Sequence, residues 1–423
     1  MPKPYVTLLG KAVRRLAQLR GGGSALPGLF VEKIDPQFIS RTLAQLPRGV
    51  VVVSGTNGKT TTTKMVVELL ESQGLRVFTN RTGSNFTRGV AAALLGEVDN
   101  HGNLDADIAV LELDEAHAVH FVRTVQPRYS LLLNVMRDQL DRFGEIDTTA
   151  KLLARIAQAT TDTVVLNRED PRVAAIAKLL HDQKTVYFAL APELTKLFPT
   201  DDELRGKTAT KKATPPADVT LVGVKDQQAQ FSLGKQRVTV SLELTGIYNI
   251  YNAAAALALV RAITKEQYDE SKLLDALSRV TPAFGRGEML TIGGQPLELI
   301  LVKNPSGFRL GLSSFNPAGV ATMIAINDNY ADGRDMSWLW DVEFDSLQNE
   351  GVTEVSGIRA YDMALRLQYD EVTISHVEPD IPLALQQFLT ASVSRPKRIF
   401  CTYTAMLAIR RELSKITTVE VVS

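Results

Sequence analysis

The segment Val50-Val51-Val52-Val53-Ser54-Gly55-Thr56-Asn57-Gly58-Lys59-Thr60-Thr61-Thr62 constrains this chain more than any other. Its valine run reads as a buried strand, and the apolar positions Met65, Val66, Leu69 and Leu70 have helical spacing over Thr60 to Gln73. Between strand and helix, the glycines let the backbone approach an anion while helix-start N–H groups point at it. Lys59 adds positive charge near the β- and γ-phosphates of a nucleotide, and the Thr60 hydroxyl is placed to hold Mg²⁺. Gly55, Thr56, Asn57, Gly58, Lys59, Thr60 and Thr61 are therefore the candidate ATP-binding residues, with Lys59 also catalytic. A Gly-Lys-Thr tripeptide alone is common. The strand before it and the helix after it are what separate this loop from an ordinary capped turn.

The rest of the chain repeats that strand-then-helix order. Strands are expected at Ile108–Leu113, Tyr129–Asn134 and Thr163–Leu166, which makes a parallel, doubly wound α/β sheet. Alternating strands at Val219–Val224, Ala229–Leu233 and Val238–Leu242 form an antiparallel appendage. After a junction at Thr281–Glu288, strands at Leu297–Val302, Gly319–Ile326, Val372–Ile374 and Arg398–Thr402 make a second α/β domain. The domains expected are 1–45 (helix and loop), 46–288 (ATP-binding) and 289–423 (C-terminal α/β). The polar stretch 192–217 reads as a surface insertion.

Lys+Arg and Asp+Glu both number 47, so overall charge gives no reason to bind nucleic acid or an acidic membrane. Residues Lys11 to Arg20 nonetheless form a basic amphipathic stretch. No apolar run approaches the ~20 residues of a bilayer span, and no signal peptide is read. A single cysteine, Cys401, excludes an internal disulfide and a cysteine zinc site. The expected location is the cytosol.

The loop lacks the first glycine of the usual Walker A spacing and resembles that of the Mur-ligase and folylpolyglutamate-synthase superfamily. The resemblance covers nearly the whole chain and implies a central P-loop domain followed by a Rossmann-like domain. At a strand end, Glu112 matches the family's Mg²⁺ glutamate, with Glu115 second; a solvated acidic strand end is the plainer reading. Asn134-Val135-Met136-Arg137-Asp138-Gln139-Leu140-Asp141 resembles a metal-placing motif but has Gln139 where the family has histidine. Lys151 stands where some relatives carry a carbamylated lysine; an exposed helix lysine is the plainer alternative. Asn167-Arg168-Glu169-Asp170-Pro171 resembles a structural turn of the family. In Gly246-Ile247-Tyr248-Asn249-Ile250-Tyr251-Asn252, Asn252 would contact adenine and Asn249 would cap the helix. Arg286 matches the family's interdomain arginine near the nucleotide.

Two departures narrow the resemblance. A phosphate loop at residue 55 leaves no room for the domain that holds UDP in full Mur ligases, and the histidine segment of the amino-acid-adding enzymes is missing. Instead the chain has Ile326-Asn327-Asp328-Asn329-Tyr330-Ala331-Asp332-Gly333-Arg334-Asp335-Met336-Ser337-Trp338-Leu339-Trp340, Gly357-Ile358-Arg359-Ala360-Tyr361 and Thr402-Tyr403-Thr404-Ala405-Met406. These resemble the synthetase subunits of lipid II isoglutaminyl synthase. That branch implies ATP-dependent amidation, through an acyl phosphate, of the α-carboxylate of D-glutamate in the lipid II stem peptide, at the inner face of the membrane. Ammonia would come from a GatD-like glutamine amidotransferase partner, whose Cys-His pair Asp335, or else Asp332, would complete. Relatives with a four-cysteine zinc ribbon exist; this chain is expected to hold no zinc. Both tryptophans lie in one loop, which reads as a partner or substrate surface or, alternatively, as a loop folded on its own core. Cys401, in a strand, reads as a small buried residue and no nucleophile. The competing readings are a single-chain amino-acid ligase and a non-catalytic ATP-binding scaffold.

Overall fold

The computed structural model describes residues 3–19, 26–80, 86–136, 146–198, 215–225, 227–244, 247–265, 267–281, 286–314 and 316–419. Contacts divide the chain into two compact units, each with its own sheet. The first is residues 1–135, 147–244 and 249–281; the second is 136–146, 245–248 and 282–423.

Among the described residues the first sheet has nine strands: β1 (Val50–Ser54), β2 (Val77–Thr79), β3 (Ile108–Glu112), β4 (Tyr129–Leu132), β5 (Thr163–Asn167), β6 (Lys184–Leu190), β7 (Val219–Lys225), β8 (Gln228–Leu233) and β9 (Gln236–Ser241). Their order is β2-β3-β1-β4-β5-β6-β7-β8-β9. Pairing is parallel from β2 to β7 and antiparallel from β7 to β9, so the expected doubly wound sheet with an antiparallel appendage is present. β1 is buried on both faces, which is why valine fills four of its five positions. Each such side chain contributes roughly 1.5–3 kcal/mol by leaving water. β1 lies between β3 and β4, so chain connections leave in opposite directions around it and open a crevice at the carboxyl strand ends.

The second sheet has the order β10 (Arg286–Ile292), β11 (Gln295–Leu301), β15 (Lys397–Cys401), β12 (Ala321–Ala325), β13 (Val352–Ser356) and β14 (Ile374–Glu378). All its pairs are parallel except β10 with β11. One face is covered by a cluster that includes Phe308, Phe344 and Phe400, and the other by one that includes Phe388, Met406 and Ile409. β2, β6, β10 and β13 were not expected; they are short, or lack alternation strong enough to stand out. Residues 1–45, expected as one helix and a loop, hold three helices among the described residues: Pro4–Leu19, Leu26–Ile34 and Phe38–Leu43. Most of the expected 192–217 insertion lies outside the described residues, as do Asp138, Gln139 and Asp141.

Candidate functional site

The phosphate loop follows β1 and runs into helix Lys59–Ser72. Gly55 and Gly58 have φ of +133° and +89°, conformations that side chains resist. A Cβ on Gly58 would also stand 2.8 Å from the Asn252 carboxamide oxygen. Asn252 is thus packed against the phosphate loop. Asn249 lies inside helix Ile247–Thr264 rather than capping it, a correction to the sequence reading.

The loop is braced from both sides. From the β4 side, Asn134 accepts from the Asn57 N–H at 2.9 Å and donates to the Asn57 carbonyl at 2.9 Å. The Asn134 carbonyl also accepts from the Thr56 N–H at 3.0 Å. From the β3 side, the Ser54 hydroxyl donates to the Leu113 carbonyl at 2.9 Å. Asn134 is a positioning residue that sequence reasoning quoted only as the start of a motif.

The charged groups divide their tasks. Lys59 is buried, and its Nζ donates to the Gly55 carbonyl at 2.5 Å and the Thr56 carbonyl at 3.3 Å. The same Nζ lies 3.6 Å from the Glu115 carboxylate. Glu115 opens helix Glu115–Val122, which Asp114 caps by accepting from the Ala116 N–H. The Thr60 hydroxyl donates to Glu112 Oε1 at 2.9 Å. Asn80 fixes Glu112 by bonding both its N–H and its carbonyl, at 3.0 and 2.8 Å. Thr60 and Glu112 together are a hard-oxygen donor pair at the loop mouth, chemistry that fits a hard divalent cation. Glu115, the second choice for that task, is turned to Lys59. The Thr61 side chain is fully buried, which leaves only its backbone N–H to offer.

Below the loop, Asn167 donates to the Leu133 carbonyl at 2.8 Å and accepts from the Tyr251 hydroxyl at 2.6 Å. Asp170 caps the helix beginning at Pro171 and accepts from the Val135 N–H at 2.6 Å. The Asn167–Pro171 turn thus holds the strand ends in register, the structural part read for it. Lys151 is exposed on helix Ile146–Ala159. Arg286 is the first residue of β10, and its side chain lies outside the described residues.

In the second unit, the three singled-out segments converge at the carboxyl ends of β12, β13 and β15. Asp332 is buried and accepts from the Thr404 N–H at 2.7 Å, the Thr404 hydroxyl at 2.5 Å and the Asn329 N–H at 3.1 Å. Burial pushes its carboxyl above the usual carboxylate range. Asn327 and Asn329 also donate to the Thr404 hydroxyl, at 3.0 and 2.8 Å. Arg359 pairs with Asp328 at 2.7 Å. Gly357 has a φ of +93°, and a Cβ there would lie 2.4 Å from the Ile326 carbonyl. Asp335, by contrast, is partly exposed and accepts from the Ser337 N–H at 2.9 Å. Hydrogen bonds from Ser337 hold the Asp335 carboxyl below its ordinary value.

The paired reading of the tryptophans needs correcting. Trp338 is buried in the core cluster with Phe308 and Phe344, whereas Trp340 is 49% exposed and packs edge-on to Tyr369 at 5.1 Å. Helix Ala360–Tyr369 buries Ala360, Met363, Ala364 and Leu367, yet exposes Tyr361, Leu365 and Tyr369 on its other side. Cys401 is fully buried in β15, and burial raises its thiol far above the range of a nucleophile.

Residues 53–260 match the family described as Mur ligase middle domain, and residues 301–406 match MurT ligase C-terminal. The MurT subunit of the glutamine-hydrolysing lipid II isoglutaminyl synthase of Streptococcus pneumoniae is 29% identical, with 96% of each chain covered. The UDP-N-acetylmuramoylalanine–D-glutamate ligase of Burkholderia cenocepacia is 30% identical, over 51% of this chain and 43% of its own. Among solved structures, the MurF ligase of Thermotoga maritima in complex with ADP superposes with a TM-score of 0.67 at 17% identity, over 90% of this chain and 84% of that one. That likeness is one of fold.

Proposed function

From the premise that the chain belongs to the Mur ligase family, we propose that it is the synthetase subunit of a two-chain amidating ligase that converts the α-carboxylate of D-glutamate in lipid II to the amide. The observation that carries this is the end-to-end match to the pneumococcal MurT subunit, set against a match to the amino-acid-adding ligase over only 51% of the chain. The second unit, with its Asp332 and Asp335 loop, is the part that matches the MurT ligase C-terminal family.

The chemistry follows from the residues at the loop. A substrate carboxylate oxygen attacks the γ-phosphorus of ATP; the bond to the β–γ bridging oxygen breaks, and ADP leaves. Ammonia then adds to the acyl carbon of the acyl phosphate, which expels phosphate and loses a proton to give the amide. Lys59 neutralises charge on the transferring phosphoryl group, while backbone N–H groups of residues 58–61 hold the β-phosphate. Thr60 and Glu112 would hold Mg²⁺, which when bound offsets charge on the phosphate oxygens. Glu115 holds Lys59 in place, Asn252 and Asn134 pack against and brace the loop, and Asn80 fixes Glu112. A contact of Asn252 or Arg286 with the nucleotide belongs to the same proposal.

Ammonia arrives from a glutaminase partner of the GatD type. Supporting this, the lone cysteine of the chain is buried, so a thiol nucleophile for glutamine must come from elsewhere. Asp335 is the carboxylate proposed to orient the partner's histidine, being ionised and accessible. Asp332 is tied to Thr404 and shapes the loop. The exposed Tyr361, Leu365, Tyr369 and Trp340 supply an apolar face of the kind a stable partner covers.

Phosphate release from ATP with lipid II tests the proposal, measured with ammonium, with free amino acids, and with glutamine plus a glutaminase subunit. Turnover with ammonium is expected. Turnover only with an amino acid would establish the single-chain ligase instead.

A further inference from the structure

Helix Pro4–Leu19 is apolar on two sides, although only one of them is packed. Val6, Thr7 and Gly10 face the protein; a Cβ on Gly10 would stand 2.7 Å from both Val31 and Leu95. The opposite arc carries Tyr5, Leu8, Leu9, Ala12 and Leu16, the i, i+3, i+4, i+7, i+11 set that forms one stripe of a helix. Tyr5, Leu8, Leu9 and Leu16 are 59%, 52%, 50% and 58% exposed. The next helix, Leu26–Ile34, repeats the arrangement: Pro27, Gly28 and Val31 are buried, and Leu26, Phe30 and Ile34 are exposed at i, i+4, i+8.

Basic residues border this face. Lys11 and Arg15 lie beside the stripe of the first helix, and Lys33 is exposed on the second. Residues 1–34 contain Lys3, Lys11, Arg14, Arg15, Arg20 and Lys33 against Glu32 alone, six positive and one negative, a net of +5 in a chain whose total is zero. Glu32 is itself paired with Arg88 at 3.5 Å.

We propose that the exposed face of these two helices lies flat on an anionic lipid bilayer, its leucines and aromatics at the headgroup boundary and its lysines and arginines against lipid phosphates. No helix among the described residues is long and apolar enough to cross a membrane, so contact is with one surface. A second copy fits less well, because pairing two such faces sets Lys11, Arg15 and Lys33 of one against those of the other. The surface stands on its own residues; its purpose, holding the active site beside a membrane-anchored substrate, rests on the function proposed above.

Sedimentation of the full chain with phosphatidylcholine vesicles, with and without phosphatidylglycerol, tests this. Binding only to the phosphatidylglycerol vesicles, weakened by salt, is expected. Leu8→Glu/Leu16→Glu and, separately, Lys11→Glu/Arg15→Glu should each weaken binding by roughly tenfold or more. Both should keep the melting temperature and the ammonium-driven turnover on detergent-solubilised lipid II. No binding, equal binding to neutral vesicles, or unimpaired variants overturn the proposal. So does a wild-type dimer that Leu8→Glu/Leu16→Glu turns into monomer without any vesicle binding. A wild type that binds vesicles but lacks ammonium-driven turnover sinks the proposed reaction and leaves the membrane surface standing.

Discussion

At Gly58, one hydrogen atom in place of a side chain decides whether the phosphate loop can exist. Gly58→Ala must hold a positive φ, at about 1–2 kcal/mol, and also displace the Asn252 carboxamide. Nucleotide binding should fall at least about tenfold, read by calorimetric titration, and Gly58→Ala/Asn252→Ala should recover part of it. Asp332 and Asp335 separate by stability. Removing the Asp332 carboxylate strands three donors, so Asp332→Ala should destabilise the protein by about 2–4 kcal/mol in denaturant titrations and abolish amidation from either nitrogen source. Asp335→Asn should leave stability within about 0.5 kcal/mol and ammonium-driven turnover intact, while glutamine-driven turnover is lost. Equal loss with both nitrogen sources would exclude the role given to Asp335.

Glu354, buried in β13, carries a pH signature. Burial, and then the neighbouring Glu378, push its carboxyl up to about 7. The folded state therefore favours the protonated form more than the unfolded chain does. Stability from this group is present below the ordinary carboxylate range and is lost as pH rises towards about 7. Glu354→Gln should raise the melting temperature at pH 8, by roughly 1–3 kcal/mol in equivalent stability, and have little effect near pH 4.5.

Among elements, helix Ala360–Tyr369 is the most telling. Its Ala360, Met363, Ala364 and Leu367 meet the core of the second unit, and a second apolar row of Tyr361, Leu365 and Tyr369 faces outward. Leu365→Glu/Tyr369→Ser should leave the melting temperature nearly unchanged, yet weaken capture of the glutaminase subunit by at least about tenfold in a titration. Strong helices and long buried strands were legible in the chain because period and composition agree there. β1 and its following helix were read within a residue. β2, three residues long, has too little pattern to register. The side chains that brace the site were harder still. Asn134 and Asn80 act through backbone partners 77 and 32 residues away, contacts that no local spacing encodes. The two tryptophans read alike in sequence, and only packing separates the buried Trp338 from the exposed Trp340.

At the scale of the molecule, averaged charge concealed a local excess. A total of zero gave no cause to expect affinity for an acidic surface, because most of the positive residues of 1–34 are offset by acidic residues elsewhere in the chain. The division into two compact units has its own consequence for ligand response. ATP with Mg²⁺ should shift the unfolding transition of the unit that holds the phosphate loop and leave the other largely in place, in calorimetric scans; Lys59→Ala should remove that shift.

Asn134 reaches the loop from the strand beside it, and Glu112 meets Thr60 from the strand on the other flank. Neither arm is available until distant stretches of polypeptide have lined up, and such long-range alignment is slow. Competence to bind a triphosphate thus arrives late in the maturation of each molecule. During refolding, nucleotide capture would serve as a clock that starts only when the middle of the sheet has closed.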